Sequence, residues 1–441
     1  MKMFRYLPLC LAVSAACMAS AQAQSLVELY ESARASDSTY QSAKAQYDAN
    51  LAKADQGRAQ LLPTANLTAG ANRNFYDQTV PRIDRDFTGL STSLGASQPL
   101  YRPANLATYQ QAMRSVEIAR AQLLQAEQDL VIRVSQSYFD VLGAQDTLEF
   151  VRAQKLAVAE QLASAKRNFE VGTATITDTR EAQARYDLVI AQEIAADNDL
   201  KVKKLALDIL VSKTNAQPAP LALPVVLPPV MPADIDVWTQ QAEADHPGVQ
   251  VARVNLDIAR LETEKAKAGH KPTLDLTASY GVNRYPSGST TSAVAYRSNV
   301  ATVGLSLNVP LFAGFSVQNR IRETLSLEDK AAADLEAARR LVVQGTRANF
   351  FGVTSFQGQV KAYEAAESSS QLALDANKLG YQVGVRINID VLNSQSQLFQ
   401  TKRDLASARY NVLVGGLKLK QANGTLRPED LQAVNALLAQ R

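Results

Sequence analysis

Groups able to do acid–base, nucleophilic or metal chemistry are sparse in this 441-residue chain. The only histidines are His246 and His270. His246 precedes Pro247 within an expected helix and His270 stands just before Pro272, so both read as structural or solvated side chains rather than ligands. No phosphate loop, nucleophile elbow or zinc-ligand spacing occurs. The sequence offers no catalytic constellation and no cofactor site. What it does offer is a pair of similar polar turns, Val171-Gly172 leading to Asp178 and Val383-Gly384 leading to Asp390. Asp178 with Glu181 has the spacing of a capping box, and Asp390 falls in a first helical turn. By spacing alone, both carboxylates can serve helix ends.

The elements that carry these turns also come twice. Leu62-Pro63-Thr64-Ala65-Asn66-Leu67-Thr68-Ala69 recurs as Lys271-Pro272-Thr273-Leu274-Asp275-Leu276-Thr277-Ala278. Tyr138-Phe139 recurs as Phe350-Phe351. The offset drifts only from 209 residues at Pro63/Pro272 to 212 at Asp178/Asp390, which indicates one duplicated unit. Each copy reads helix, strand, loop, strand, long helix, turn, helix. The repeats span 24–212 and 234–421, joined by a proline-rich linker, 213–233, and followed by a similar belt segment, 422–441.

The first helix opens at Ser25 with Glu28 three residues on and runs to about Leu61; its partner runs from about Asp236 to Gly269. Pro63 and Pro272 then stop each one. Beyond them, Ala65, Leu67, Ala69, Ala71 and Phe75 alternate with Thr64, Asn66, Thr68, Asn72 and Asn74. After a loop expected at Asp77–Asp86, Leu90, Leu94, Ala96 and Leu100 alternate with Gly89, Ser91, Ser93, Gly95 and Ser97. Leu274, Leu276, Ala278, Tyr280 and Val282, then Val303, Leu305, Leu307, Val309 and Leu311, repeat the pattern. Four strands of about 12–14 residues with one apolar and one polar face follow, longer than the usual five or six residues of globular sheets. Aromatic residues gather at their ends: Phe75, Tyr76, Phe87, Tyr285 and Tyr296 near the loops, and Tyr101, Phe312 and Phe315 on the helix side. That distribution suggests the two interfacial girdles of a membrane barrel. Soluble sheets alternate too, and four strands cannot close a barrel, since single-chain cases start at about eight; either several copies contribute or the four strands form no barrel.

Ala104–Val171 holds no proline and one glycine, and Ser316–Val383 again no proline. Each predicts a helix roughly 100 Å long at about 1.5 Å per residue. The return helices, Asp178–Leu210 and Asp390–Gln421, are about half that. Apolar residues such as Val116, Ala119, Leu123, Ala126 and Leu130 recur at three- and four-residue steps, as side-by-side helix packing requires.

Lys2 and Arg5, the apolar run Tyr6–Ser20 and Ala21-Gln22-Ala23 read as an export signal occupying 1–23. Both cysteines, Cys10 and Cys17, fall inside it, so the exported chain has no disulfide. Charge is nearly balanced, 46 basic against 43 acidic residues, with no basic patch for nucleic acid.

With these features assembled, the sequence resembles the TolC family of outer-membrane channels. The most specific segments are Gly269-His270-Lys271-Pro272-Thr273-Leu274-Asp275-Leu276-Thr277-Ala278-Ser279, Gly380-Tyr381-Gln382-Val383-Gly384-Val385-Arg386-Ile387-Asn388-Ile389-Asp390-Val391-Leu392 and Ala406-Ser407-Ala408-Arg409-Tyr410-Asn411. The resemblance implies an α+β membrane protein with internal duplication. Three copies would give four strands each to a 12-stranded outer-membrane β-barrel continuous with a long α-helical periplasmic barrel. It implies an exit duct for drug efflux or type I protein secretion in a Gram-negative bacterium. The partners would be a periplasmic adaptor, an inner-membrane ABC or proton-driven transporter, and outer-membrane lipid. At the periplasmic entrance it implies a gate ring at Asp390, with Asn393 where a second aspartate would stand. It also implies a latch in which Tyr381 and Arg386 tie to Thr177 and Asp178 of the neighbouring turn. The competing reading from the residues alone is a periplasmic coiled-coil adaptor, which shares the long helices but not the paired alternating strands.

Mass spectrometry of the exported protein should find Gln24 at its N-terminus; an acylated Cys17 would refute that cleavage site.

Overall fold

Proline and capping chemistry set the element boundaries in the computed structural model, which describes residues 24–80, 82–222 and 224–439. The expected export signal, Cys10 and Cys17 lie outside the described residues. In chain order the elements are α1 (Leu26–Ser36), α2 (Ser38–Ala59), β1 (Thr64–Thr79), β2 (Arg82–Tyr101), α3 (Pro103–Glu170) and α4 (Ile176–Val211). The second half supplies α5 (Ile235–Asp245), α6 (Pro247–Lys267), β3 (Thr273–Tyr285), β4 (Tyr296–Asn308), α7 (Ser316–Gln382), α8 (Asn388–Ala422) and the short α9 (Asp430–Asn435). No described helix is long and apolar enough to cross a membrane.

The expected continuous first helices are each broken, at Asp37 and at His246. These positions are 209 residues apart, so the break itself is duplicated. At His246 the cause is Pro247, which pushes the preceding residue into extended backbone and starts a new helix at its first position. At Asp37 no proline is present. Instead its N–H caps α1 on Ala33 O and its carboxylate accepts from Tyr40 N, 2.8 Å away, which starts α2. That carboxylate also receives both guanidinium nitrogens of Arg133 at 2.9 and 3.0 Å, which holds its pKa below the usual range.

The described residues divide into two compact units, each drawing on both repeats: 24–43, 123–247 and 339–439 in one, 44–122 and 248–338 in the other. The first unit packs α1, the middle of α3, the end of α4 and the later part of α8 around Leu26, Leu29, Leu130, Val134, Leu142, Leu207 and Leu417. The linker and the tail belong to this core rather than hanging from it. Ala222 N donates to Leu437 O and Ala439 N to Pro220 O, while Ala216, Ala219 and Leu438 are buried. Tyr138 closes the arrangement by donating from its hydroxyl to Ala219 O at 2.9 Å.

Phe139 packs between Tyr138 and Tyr410, with ring centroids 5.4 and 5.5 Å away. The Tyr410 hydroxyl donates to the Asp146 carboxylate at 2.6 Å, joining α3 of the first repeat to α8 of the second. Burial raises the Asp146 pKa, the Tyr410 hydrogen bond pulls it back, and nearby Glu149 raises it.

Tyr410→Phe should therefore cost about 1–3 kcal/mol at neutral pH, because a buried carboxylate loses its donor. The sign follows from the raised pKa: the protonated carboxyl is the better buried form, so stability is retained at low pH and lost as pH rises through the folded-state value. Thermal unfolding at pH 7 and at pH 4 should show the defect shrinking in acid, and Asp146→Asn in the same background should relieve it.

Candidate functional site

The second unit is built on one antiparallel sheet in the order β1-β2-β3-β4. Directly paired residues share a face, so the register assigns every side chain. One face carries the rows Ala65–Ala96–Ala278–Val303 and Leu67–Leu94–Tyr280–Ala301, with Leu276 opposite Leu305 and Leu274 opposite Leu307. The other carries Thr64–Ser97–Thr277–Gly304, Asn66–Gly95–Ser279–Thr302 and Gly70–Ser91–Asn283–Ser298. The alternation read from the sequence is therefore a property of the whole sheet. Among the described residues nothing covers the apolar face: Leu67 is 71% exposed and Val303 76%. Each such side chain left in water forgoes about 1.5–3 kcal/mol of burial.

The strands depart from expectation in length and at one irregularity. β3 and β4 have 13 residues, but β1 has 16 and β2 has 20. The expected loop at Asp77–Asp86 is paired strand almost to its tip, with Asp77 opposite Asp84. A register shift between Pro99 and Tyr101 takes Leu100 out of the alternation and sets Tyr101 opposite Leu274 on the apolar face. Towards the hairpin end that face turns charged, with Arg73 paired to Asp86 and Arg284 opposite Arg297. From Leu274 to Val282 the apolar stretch spans about 27 Å of strand, or about 21 Å of height at the usual tilt of barrel strands, close to the apolar band of outer-membrane barrels.

The aromatic girdle needs correction. Phe75 and Tyr101 lie on the apolar face, but Phe87, Tyr285 and Tyr296 lie on the polar one, Tyr285 and Tyr296 stacked at 4.9 Å. Near the helix side Phe312 and Phe315 stay exposed, edge to face at 5.5 Å. The same end carries a bidentate pair, Arg102 to Asp275 at 2.8 and 2.6 Å, both partners close to the polar face.

The first unit holds the two turns. They are backbone copies: Gly172 has φ +79° and Gly384 +81°, a conformation that glycine adopts without a Cβ penalty. Thr173 N and Ala174 N donate to Asn168 O, just as Val385 N and Arg386 N donate to Gly380 O. A Cβ on Gly380 would come within 2.7 Å of Arg386 Cγ, so the glycine also leaves room for that side chain.

The capping box at α4 is formed by Thr175 and Asp178, not by Asp178 and Glu181. The Asp178 carboxylate accepts from Thr175 N at 2.9 Å and Thr175 Oγ1 at 2.8 Å, because the helix starts at Ile176 and Asp178 is its third residue. Thr177 is exposed in the same turn. Arg386 lies 3.7 Å from Asp390, one turn along. Tyr381 accepts a hydrogen bond from Asn168 Nδ2 at 3.1 Å and packs on Leu374, Val391 and Leu398. Among the described residues no hydrogen bond or ion pair within the chain joins Arg386 or Tyr381 to Thr177 or Asp178.

What does tie the two turns together was missed by sequence reasoning. Asn388 is buried, accepts from Gln161 and donates to the Asp178 carbonyl at 3.4 Å. Arg185 donates to the Asn393 side-chain oxygen at 2.9 Å, which turns Asn393 towards α4. An arginine and an asparagine at exposed helical positions carry no sequence signal for such a pair; only the register between hairpins creates it. A polar cleft of about 420 Å³ continues from this contact between Gln154, Arg185, Ser396 and Arg403.

The chain matches the family described as outer membrane efflux protein over two segments, residues 29–211 and 238–425, which correspond to the two repeats. It is 35% identical over 437 residues to outer membrane protein TolC of Vibrio cholerae, covering 98% of each chain. It is 31% identical over 419 residues to alkaline protease secretion protein AprF of Pseudomonas aeruginosa, covering 93% of this chain and 86% of that protein. The solved outer membrane protein VceC of Vibrio cholerae shares the fold with a TM-score of 0.77 at 18% identity, over 90% of this chain and 96% of that one. A membrane protein from Pseudomonas aeruginosa does so with a TM-score of 0.80 at 19% identity, over 90% and 93%.

Asn388→Ala leaves the Gln161 amide and the Asp178 carbonyl without their shared partner. It should lower amide-exchange protection at the starts of α4 and α8 by about 1–3 kcal/mol, with no change in the sheet.

Proposed function

The chain belongs to the outer membrane efflux protein family, channels of the outer membrane rather than enzymes, and we propose that three copies form the exit duct of a tripartite export system. The observation that carries this reading is the four-stranded sheet, bare and apolar on one face, small and polar on the other, with β1 and β4 unpaired at its edges. In lipid every edge N–H and C=O needs a partner, so such a sheet must close on further copies. Three copies supply twelve strands, with the apolar face towards lipid and the Ser, Thr, Asn and Gly face lining a wet bore. Uncovered apolar residues on the helices, among them Leu188, Val202, Leu205, Ile209, Leu341 and Leu372, support packing of neighbouring copies into a periplasmic helical tunnel.

The turns at Gly172 and Gly384 mark the tunnel's entrance in this reading. Arg386 and Tyr381 reach Thr177 and Asp178 of the neighbouring copy, whose capping geometry presents the Asp178 backbone and carboxylate rigidly. Asp390 supplies a ring of three carboxylates, moderated by its own Arg386. Asn393 engages Arg185, so this duct has one acidic ring and weak block by multivalent cations. A periplasmic adaptor and an inner-membrane ABC or proton-driven transporter open the entrance and supply both cargo and energy.

Two adjacent substitutions test the sheet. Val303→Lys puts a charge in the middle of the apolar band, should cost about 2–4 kcal/mol, and should abolish heat-modifiable trimers in outer-membrane extracts. Thr302→Lys, one residue away on the polar face, should assemble normally; equal tolerance of both would remove the barrel. In single-channel recordings Arg386→Ser should raise the resting conductance and Asp390→Ala should weaken cation selectivity. An unaltered closed state in the first and unaltered selectivity in the second would remove those roles.

A further inference from the structure

The polar face of the sheet changes character abruptly at its hairpin end. Through four successive rows, from Thr64–Ser97–Thr277–Gly304 to Gly70–Ser91–Asn283–Ser298, it carries only Gly, Ser, Thr and Asn apart from Val300. In the next two rows stand Tyr285, Tyr296 and Phe87. Tyr285 stacks on Tyr296 and meets Phe87 at 6.2 Å. The Tyr285 ring lies so close over the strand backbone that a Cβ on Gly89 would approach it to 3.2 Å.

The connection between β3 and β4, residues 286–295, lies over this same face. Thr88 N donates to Ser287 Oγ at 3.3 Å, Arg85 Nη1 to Ser289 O at 3.2 Å and the Tyr296 hydroxyl to Ser289 Oγ at 3.0 Å. Arg85 and Phe87 alternate with Gly89 on the polar side of β2, so the loop is fastened onto that side. The result is that Phe87 on the sheet is only 9% exposed and Ser289 of the loop only 6%. A turn at Gly288 makes the fold-over possible: its φ is +83°, and a Cβ there would lie 2.4 Å from Ser292 O. The β1–β2 hairpin has no such fold-over and stays paired to Thr79–Arg82.

We infer that this loop, with Phe87, Tyr285 and Tyr296, forms an aromatic constriction at the mouth of the bore that sets the size limit for cargo and retards aromatic solutes. The inference rests on the reading of the polar face as the bore wall. Three copies bring three loops and three aromatic stacks into one cross-section, where the rows below offer only small side chains. Ring faces there attract flat aromatic or cationic groups, and the loops remove cross-section that the Gly and Ser rows leave open.

Planar-bilayer recordings of the full trimer, with the entrance opened by Arg386→Ser, test this. Replacing 287–294 by Asn-Gly, or introducing Tyr296→Ala, should raise conductance by roughly twofold or more and shorten block by an aromatic cation such as tetraphenylphosphonium. Unchanged conductance and unchanged block in both variants would overturn the constriction. A second measurement does not depend on the entrance: Val294→Cys, exposed on the loop, should join copies covalently through a short bis-maleimide. Only uncoupled copies in an intact trimer would again overturn it. If the parent protein gives neither trimers nor channels, the barrel reading fails instead, so the two failures are separable.

Discussion

A strand edge cannot face hydrocarbon, and the rest of this molecule follows from that constraint. The sheet ends at β1 and β4 with rows of backbone donors and acceptors that no element of the second unit pairs. A soluble protein would shorten such edges or cover them. Here they run for 16 and 13 residues beside an apolar face left open. In the proposed trimer each open edge is completed by another copy of the same chain. Closure also explains the modest side chains on the polar face, because a bore needs cross-section more than it needs packing.

Duplication reaches the backbone in detail that side chains obscure. The helix breaks at Asp37 and His246 arise from different chemistry, an aspartate that caps both ways and a proline, yet leave ψ of 117° and 126° at equivalent positions. The turns at Gly172 and Gly384 repeat the same carbonyl captures. Conservation of shape with replacement of the residues that produce it indicates that the bend, rather than any one interaction, is what the architecture needs.

Much of this was legible in the sequence. Period-two alternation gave all four strands and both faces, and proline and glycine positions gave the long helices and the turns. What escaped notice depended on pairing across sequence-distant segments. Asp77 to Asp86 reads as a polar loop because Asp, Arg and Gln are poor strand formers, but the ladder already begun below carries the strands on. The register shift near Leu100 is invisible without its partner strand. Phe87, Tyr285 and Tyr296 sit at strand ends as a girdle would, although their parity is that of Gly89 and Asn283; only the partner strands show that the three rings gather into one stack. At the turns, the family resemblance singled out Asp178 and Arg386, while Asn388, Gln161 and Arg185 needed coordinates.

The two repeats, alike in backbone, differ in what they bury, and the difference bears on where copies would meet in the proposed trimer. Phe139 is buried between Tyr138 and Tyr410, whereas its counterpart Phe351 is 63% exposed. The Tyr410–Asp146 pair has no internal twin: the equivalent positions hold Asn198 and Gly358. Within the chain, α3 of the first repeat meets α8 of the second. In the proposed ring the equivalent contact would join α7 to α4 of the next copy, with exposed Phe351 towards the Asn198 side. The contact within the chain is a buried core with an aromatic triplet and a carboxylate hydrogen bond. A looser, less aromatic seam at that position is what a ring assembled from separate pieces requires. It also concentrates the adjustable contacts between copies, where the proposed Arg386 to Asp178 latch lies.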